Sequence, residues 1–194
     1  MKKIIITFLL LNIFVSVARA QWQLDVLESE LNFVSIKKSS MAEVHHFKKL
    51  TGGIDTKGYV AINVDLNSIE TNIPIRNERM QSMLFETNEF PVAKITSITD
   101  VLFVNDTPDS TIVKKQVEFN LNLHGINKKI STEVLVTKVS KNKFTVHSLR
   151  PIIINSVDYN LSEGITKLQE VAKLPSIATS VPVNFILVFS KRFE

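Results

Sequence analysis

The segment GYVAINVDLNSIETNIPIRNERMQSMLFETNEFP, residues 58–91, decides how the chain is read. It begins as a strand. Val60, Ile62, Val64 and Leu66 alternate with Ala61, Asn63 and Asp65, the period-two pattern of a ribbon with one apolar and one wet face. The alternation breaks at Ser68-Ile69-Glu70-Thr71, and Pro74 marks the break. From Arg76 to Phe85 the spacing turns helical. Met80, Met83 and Leu84 share one side at i, i+3 and i+4, with Arg76, Glu78, Arg79 and Gln81 around the rest. Phe85 and Phe90 bracket an acidic turn, and Pro91 opens the next extended segment. A short apolar helix beside a half-apolar sheet fits the mouth or base of a small barrel.

Working outward, most of the remaining chain also reads as strands. Trp22, Leu24 and Val26 open the first, and residues 31–36 form another around Phe33. Residues 44–50 make a strand with Gly52-Gly53 as its turn. Residues 92–104 form one long strand or two joined by a bend, and residues 105–110 a turn cluster. The clearest alternation sets Val117, Phe119, Leu121 and Leu123 against Glu118, Asn120 and Asn122, with His124-Gly125-Ile126-Asn127 as a hairpin tip. The return strand carries Ile130, Thr132, Val134 and Val136. After a turn at Lys141-Asn142-Lys143, residues 144–154 extend again. Leu161, Ile165, Leu168 and Ala172 shift to helical spacing, introduced by Asp158-Tyr159 and ended by Pro175. The last strand holds Val181, Val183, Phe185, Leu187 and Phe189, with Ile186 and Val188 on its other face. About eight strands at hairpin spacing, with two short helical insertions, predict an all-β antiparallel barrel or sandwich.

The N-terminus adds a location. Lys2 and Lys3 precede an apolar run over residues 4–17, and Ala18-Arg19-Ala20 follows. That order reads as a secretory signal peptide over residues 1–20, cut before Gln21. The run is shorter than the ~20 residues a membrane helix needs, and no later segment is long and apolar enough to span. The full chain has 23 basic and 19 acidic side chains. Removing Lys2, Lys3 and Arg19 leaves 20 against 19, a net charge of +1. The basic balance therefore belongs largely to the leader, and nucleic acid is not expected as a partner. Cysteine is absent, so the exported domain, residues 21–194, must stand on packing and hydrogen bonds alone.

A closed eight-stranded barrel either fills its interior with side chains or holds one small ligand. The parity that would face such a lumen is almost free of charge, so a guest would be apolar too. Candidate lining residues are Phe33, then Val60, Ile62 and Val64, then Met80, Met83, Leu84 and Phe85 of the helix. Phe119, Leu121 and Leu123, Val134, and Phe185 and Leu187 complete the set. Arg76 and Arg79 are candidates for contact with a ligand head group. His45 and His46 are adjacent on a strand and point to opposite faces, which argues against one shared metal ion, and His124 falls in a solvated turn. No nucleophile elbow, HExxH pair, P-loop or Rossmann glycine pattern is present. No catalytic residue, cofactor or metal is assigned. A buried His–acid–Ser constellation would be the sign of a hydrolase.

Several motifs in order resemble the periplasmic YceI-like family, described as polyisoprenoid-binding. Trp22…Asp25 precedes Glu28-Ser29-Glu30-Leu31-Asn32-Phe33, similar to the family's opening. Val64-Asp65-Leu66-Asn67-Ser68-Ile69-Glu70-Thr71 resembles its strand end, and Arg76-Asn77-Glu78-Arg79-Met80-Gln81-Ser82 its helix. Phe85-Glu86…Glu89-Phe90-Pro91, Leu121-Asn122-Leu123-His124-Gly125-Ile126-Asn127-Lys128 and Asn155-Ser156-Val157-Asp158-Tyr159 resemble three further motifs. Glu28, Asn77 and Asn160 stand where the family usually has His, Asp and Gly. The resemblance implies a lipocalin-like barrel with an apolar, lipid-like small molecule in its lumen, such as an isoprenoid, a quinone tail or a fatty amide. It implies a carrier rather than an enzyme, in the periplasm, and leaves a homodimer open. A filled barrel serving as a structural module of the envelope is the alternative.

Overall fold

The computed structural model describes residues 20–191. The leader read at residues 1–20 lies outside them except for Ala20, which opens β1 (Ala20–Leu24). Twelve strands join in one antiparallel sheet and fall, in chain order, into eight ribbons. β1 and β2 (Glu30–Lys37) form the first, β3 (Met41–Phe47) and β4 (Leu50–Asp55) the second, β5 (Tyr59–Asp65) and β6 (Ile69–Glu70) the third. β7 (Val92–Ile98), β8 (Thr111–Leu123) and β9 (Ile126–Ser140) are single ribbons. β10 (Lys143–Ser148) and β11 (Ile152–Asn155) share the seventh, and β12 (Ser180–Lys191) is the eighth. Each ribbon pairs with the next, and β12 returns to the first. Trp22 lies opposite Lys191 and Leu24 opposite Phe189, while in β2 Leu31 faces Phe185 and Phe33 faces Val183. The ring is therefore closed, and an eight-stranded antiparallel barrel results.

Local chemistry explains three of the four breaks within ribbons. The Asp25 carboxylate accepts hydrogen bonds from the backbone N–H groups of Leu27 and Glu28, turning the chain between β1 and β2. Asp65 does the same for Asn67 and caps the 3₁₀ turn between β5 and β6. Pro151 has no N–H to give a ladder and separates β10 from β11. The Gly52-Gly53 pair, read as a turn, lies instead inside β4, opposite Ile62 and Ala61. A Cβ on Gly52 would stand 2.1 Å from the Ala61 carbonyl oxygen, at a φ of +147°. Close approach of two backbones, not a reversal, requires glycine there. On β12, Val188 is buried and Ile186 is 40% exposed, so the second face of that strand is covered only in part.

Three α-helices are present among the described residues where two helical insertions were read. α1 (Pro74–Arg79) starts with proline in its first turn and runs into a π-helical turn, Met80–Leu84, closed by Phe85 N–H donating to the Met80 carbonyl at 2.9 Å. α2 (Val101–Asp106) replaces the continuation of the strand after Ile98. Its residues favour strands, but Val104 is buried, and burial outweighs intrinsic preference. α3 (Ser162–Val171) packs on the π-helical turn. Gly164 permits this contact: a Cβ there would lie 2.6 Å from the Met83 carbonyl oxygen and 2.8 Å from Leu84 Cα.

The two ends of the barrel are packed differently. At the α2 end, Trp22 meets Phe144 edge-on at 4.9 Å, and Phe144 stacks on Phe189 at 4.9 Å. Lys138 is buried beside them, its ammonium 4.7 Å from the Trp22 ring and donating to the Val104 carbonyl at 2.8 Å. Burial holds its pKa below the ordinary lysine range. At the α1 end, a polar cluster closes the outer part of β2 and β3. Glu43 accepts from Lys37 at 2.8 Å and from Arg76 at 2.6 Å, and Arg76 also donates to the Thr71 carbonyl. Asn77 Oδ1 accepts from the Thr71 N–H and hydroxyl. His45 is 2% exposed and bonds Ser35 through Nε2 at 2.8 Å.

Two outcomes follow for stability. Gly164→Ala gains about 1 kcal/mol of helix preference but forces α3 off the π-helical turn, at about 1–3 kcal/mol. The net result is a lower Tm, and an unchanged or higher Tm in thermal unfolding would contradict the packing described. Burial, then the Arg76 charge, pushes the His45 pKa from 6.5 down to about 4 in the fold. Between those values the unfolded chain binds more protons, so stability rises with pH: it is fully present above about 6.5 and is lost as pH falls toward 4. Unfolding free energy should drop by about 2 kcal/mol between pH 6.5 and roughly pH 5. His45→Gln should flatten that slope, and an undiminished slope in the variant rejects His45 as its source.

Candidate functional site

The interior between the two packed ends is empty of side chains. It encloses about 780 Å³, within the range of pockets that hold small molecules and far above the scattered voids of ordinary cores. Its wall is the inward parity of the ribbons. Phe33 of β2, Val60, Ile62 and Val64 of β5, Phe119, Leu121 and Leu123 of β8, and Val134 of β9 all lie on it. So do Phe185 and Leu187 of β12 and Leu84 and Phe85 beside α1. Twelve of the fourteen candidate lining residues thus surround one space.

Met80 and Met83 do not reach the wall. Met80 is buried in the core cluster. The reason is the π-helical turn: it places an extra residue in the turn and breaks the i, i+3, i+4 stripe that an α-helix would have kept together. Arg76 and Arg79 are not on the wall either, and the guanidinium of Arg76 is engaged by Glu43 and the Thr71 carbonyl. His124, read as solvated, instead bonds Glu86 at 3.0 Å, and its ring lies 4.3 Å from that of Phe90. Other wall residues, among them Ile95, Val117, Val136 and Val146, follow the same alternation in their strands. Phe103 and Val104 of α2 carry no such signal, because their segment reads as strand. Lys115 shares the parity of Val117 and was missed because the clear alternation begins after it.

The cavity opens at the seam between β7 and β8. These strands pair only at Lys94–Asn122, Ile95–Leu121 and Thr96–Asn120. Beyond those three rungs the strands part, bridged by the Ser97 hydroxyl donating to the Glu118 carbonyl at 2.5 Å. Ser97, Thr99, Glu118 and Asn120 line the opening, with Phe103 of α2 beside it. Glu118 is itself paired with Lys129 at 2.6 Å.

Thr145 meets His147 at 2.9 Å, and the Ser35–His45 pair, at 2.8 Å with His45 buried, is the shorter of these two hydroxyl–histidine contacts among the described residues. It lacks an orienting acid: the neighbouring Glu43 is held by Lys37 and Arg76, and His45 Nδ1 is buried without a partner. A triad needs an acceptor on that nitrogen. The depressed pKa of His45 also suits a poor base, and neither residue touches the cavity.

Comparison with solved structures places this barrel among known ones. A polyisoprenoid-binding domain from Saccharophagus degradans, implicated in plant cell wall breakdown, is 37% identical. It superposes with a TM-score of 0.88 over 90% of this chain and 100% of that chain. BcnA of Burkholderia cenocepacia, 19% identical, has the same fold with a TM-score of 0.65 over 85% of this chain and 98% of its own. The Campylobacter jejuni YCEI protein, 16% identical, follows at 0.55 over 77% and 85%. No curated protein matches the sequence. The model of the YceI-like domain matches residues 22–189, nearly the whole described barrel, and the chain belongs to that family.

Proposed function

We propose that this protein is a periplasmic carrier of an apolar, chain-like lipid: an isoprenoid, a quinone tail or a fatty amide. The observation that carries the reading is the apolar cavity of about 780 Å³ inside a closed barrel. A space of that size lined by aliphatic and aromatic side chains stabilises a hydrocarbon guest by about 0.8 kcal/mol per buried methylene, before the cost of ordering the chain. The 37% identical relative is described as polyisoprenoid-binding, which supports the same ligand class here. Among the described residues no helix is long and apolar enough to cross a membrane. The leader at residues 1–20 supports export and cleavage before Gln21, giving a domain over residues 21–194. The reading assigns no reaction to the protein.

The full chain, expressed with its own N-terminus and recovered from the periplasmic fraction, should begin at Gln21 and release a long-chain lipid on organic extraction, seen by native mass spectrometry. Absence of any bound lipid, together with no uptake of geranylgeraniol, sinks the proposal. Val136→Trp places a large ring in the lumen and should weaken geranylgeraniol binding about tenfold or more. Its Tm should stay near that of the wild type, because the added ring enters free space rather than a filled core.

A further inference from the structure

The inward parity of β8 runs Val113, Lys115, Val117, Phe119, Leu121 and Leu123, and one member of it is charged. Lys115 is half-buried, lines the cavity, and holds its ammonium 3.7 Å from the centroid of the Phe103 ring of α2. Among the described residues no carboxylate pairs with it. The other charged side chains of β8 and β9 near the opening behave differently: Glu118 and Lys129 satisfy each other on the outer surface. A lysine set among apolar wall residues is costly unless its charge finds water or an anion. The β7–β8 opening supplies access for either.

We infer that Lys115 is the head-group site of the lumen, and that the cargo is an amphiphile ending in an oxyanion, a phosphate or a carboxylate. This rests on the reading of the cavity as a lipid site and adds a polarity to it. The head lies at Lys115 beside the β7–β8 opening, and the tail runs inward along Val117, Phe119 and Leu121. Leu123 lies eight residue steps along β8 from Lys115, about 27 Å of strand, so the lumen accommodates an extended chain below the charge. Arg76 and Arg79, the head-group candidates read from the sequence, are not on this wall, and Arg76 is occupied by Glu43. A purely structural Lys115 would do no more than anchor α2 through Phe103.

The test compares binding of geranylgeranyl phosphate with geranylgeraniol, and of oleate with oleyl alcohol, to the full-length wild type, Lys115→Met and Lys115→Arg. The wild type should prefer the anion over its alcohol by about tenfold or more. Lys115→Met should lose that preference while keeping the affinity for the alcohols, and Lys115→Arg should retain it. Preference in the phosphate pair alone assigns a phosphate head; preference in both pairs assigns any oxyanion. Equal binding of anion and alcohol by the wild type overturns the inference, as does a preference that survives in Lys115→Met. Loss of all binding in Lys115→Met at unchanged anion-to-alcohol ratio in Lys115→Arg would favour the α2 anchor and also overturn it. Failure of both alcohols and both anions to bind the wild type defeats the carrier reading itself, an outcome distinct from the others.

Discussion

Everything in this molecule depends on β12 meeting β1 and β2. Eight ribbons in a meander make an open sheet until the last is hydrogen-bonded to the first, through Trp22–Lys191, Leu24–Phe189 and the Phe33–Val183 register below them. Closure turns one face of every ribbon inward and commits a single parity to a shared interior. An open sheet could pack that face on a second layer. A closed one encloses whatever volume its side chains leave. Here large rings are concentrated toward the ends, Trp22, Phe144 and Phe189 at one and Phe47 and Phe85 at the other, and the middle stays vacant. With no cysteine in the chain, non-covalent packing at those ends and the ladder itself hold the can shut.

The fold was legible because its signal is local. A period of two survives in residues 60–66 and 117–123 however the chain is later arranged, and eight such runs at hairpin spacing leave few architectures. The lining was legible for the same reason: parity within a strand tells which side chains travel together, and one face is visibly greasy. What escaped depends on contacts distant in sequence. Val101–Asp106 is helical although its composition favours strand, because it seats Val104 in the barrel end. Gly52 reads as a turn residue until Ala61 is seen pressed against it. Met80 and Met83 leave the expected stripe because one turn is wound with an extra residue. Ser35 and His45 meet only through the β2–β3 register. No composition or spacing in a single sequence announces these.

Charge is distributed by the same logic of ends against middle. The buried polar groups gather where the barrel is already filled. Lys138 is tied to a helix carbonyl among aromatic rings. Arg76 of α1 is bonded to Glu43 and to the Thr71 carbonyl, and His45 is bonded to Ser35. Such groups are tolerable because most of their donors and acceptors have partners within the fold, with His45 Nδ1 and Arg76 Nε the exceptions. Along the inward parity of β8 the chain keeps to hydrocarbon with Lys115 the exception, and the other polar lining side chains, Asp100 and Glu118 among them, gather at the β7–β8 opening. That contrast gives the interior a direction that apolar surface alone lacks.

The three-rung seam between β7 and β8 has a consequence for mechanics. Every other neighbour in the ring shares a longer ladder or is reinforced by end-to-end strands, so the wall is a stiff hoop with one thin stave joint. Strain applied to such a hoop concentrates at the joint, which parts before the rest of the cylinder deforms. A cylinder hinged at one line can widen and narrow without unfolding. The bare strand margins on either side are also where foreign polypeptide would find backbone to grip.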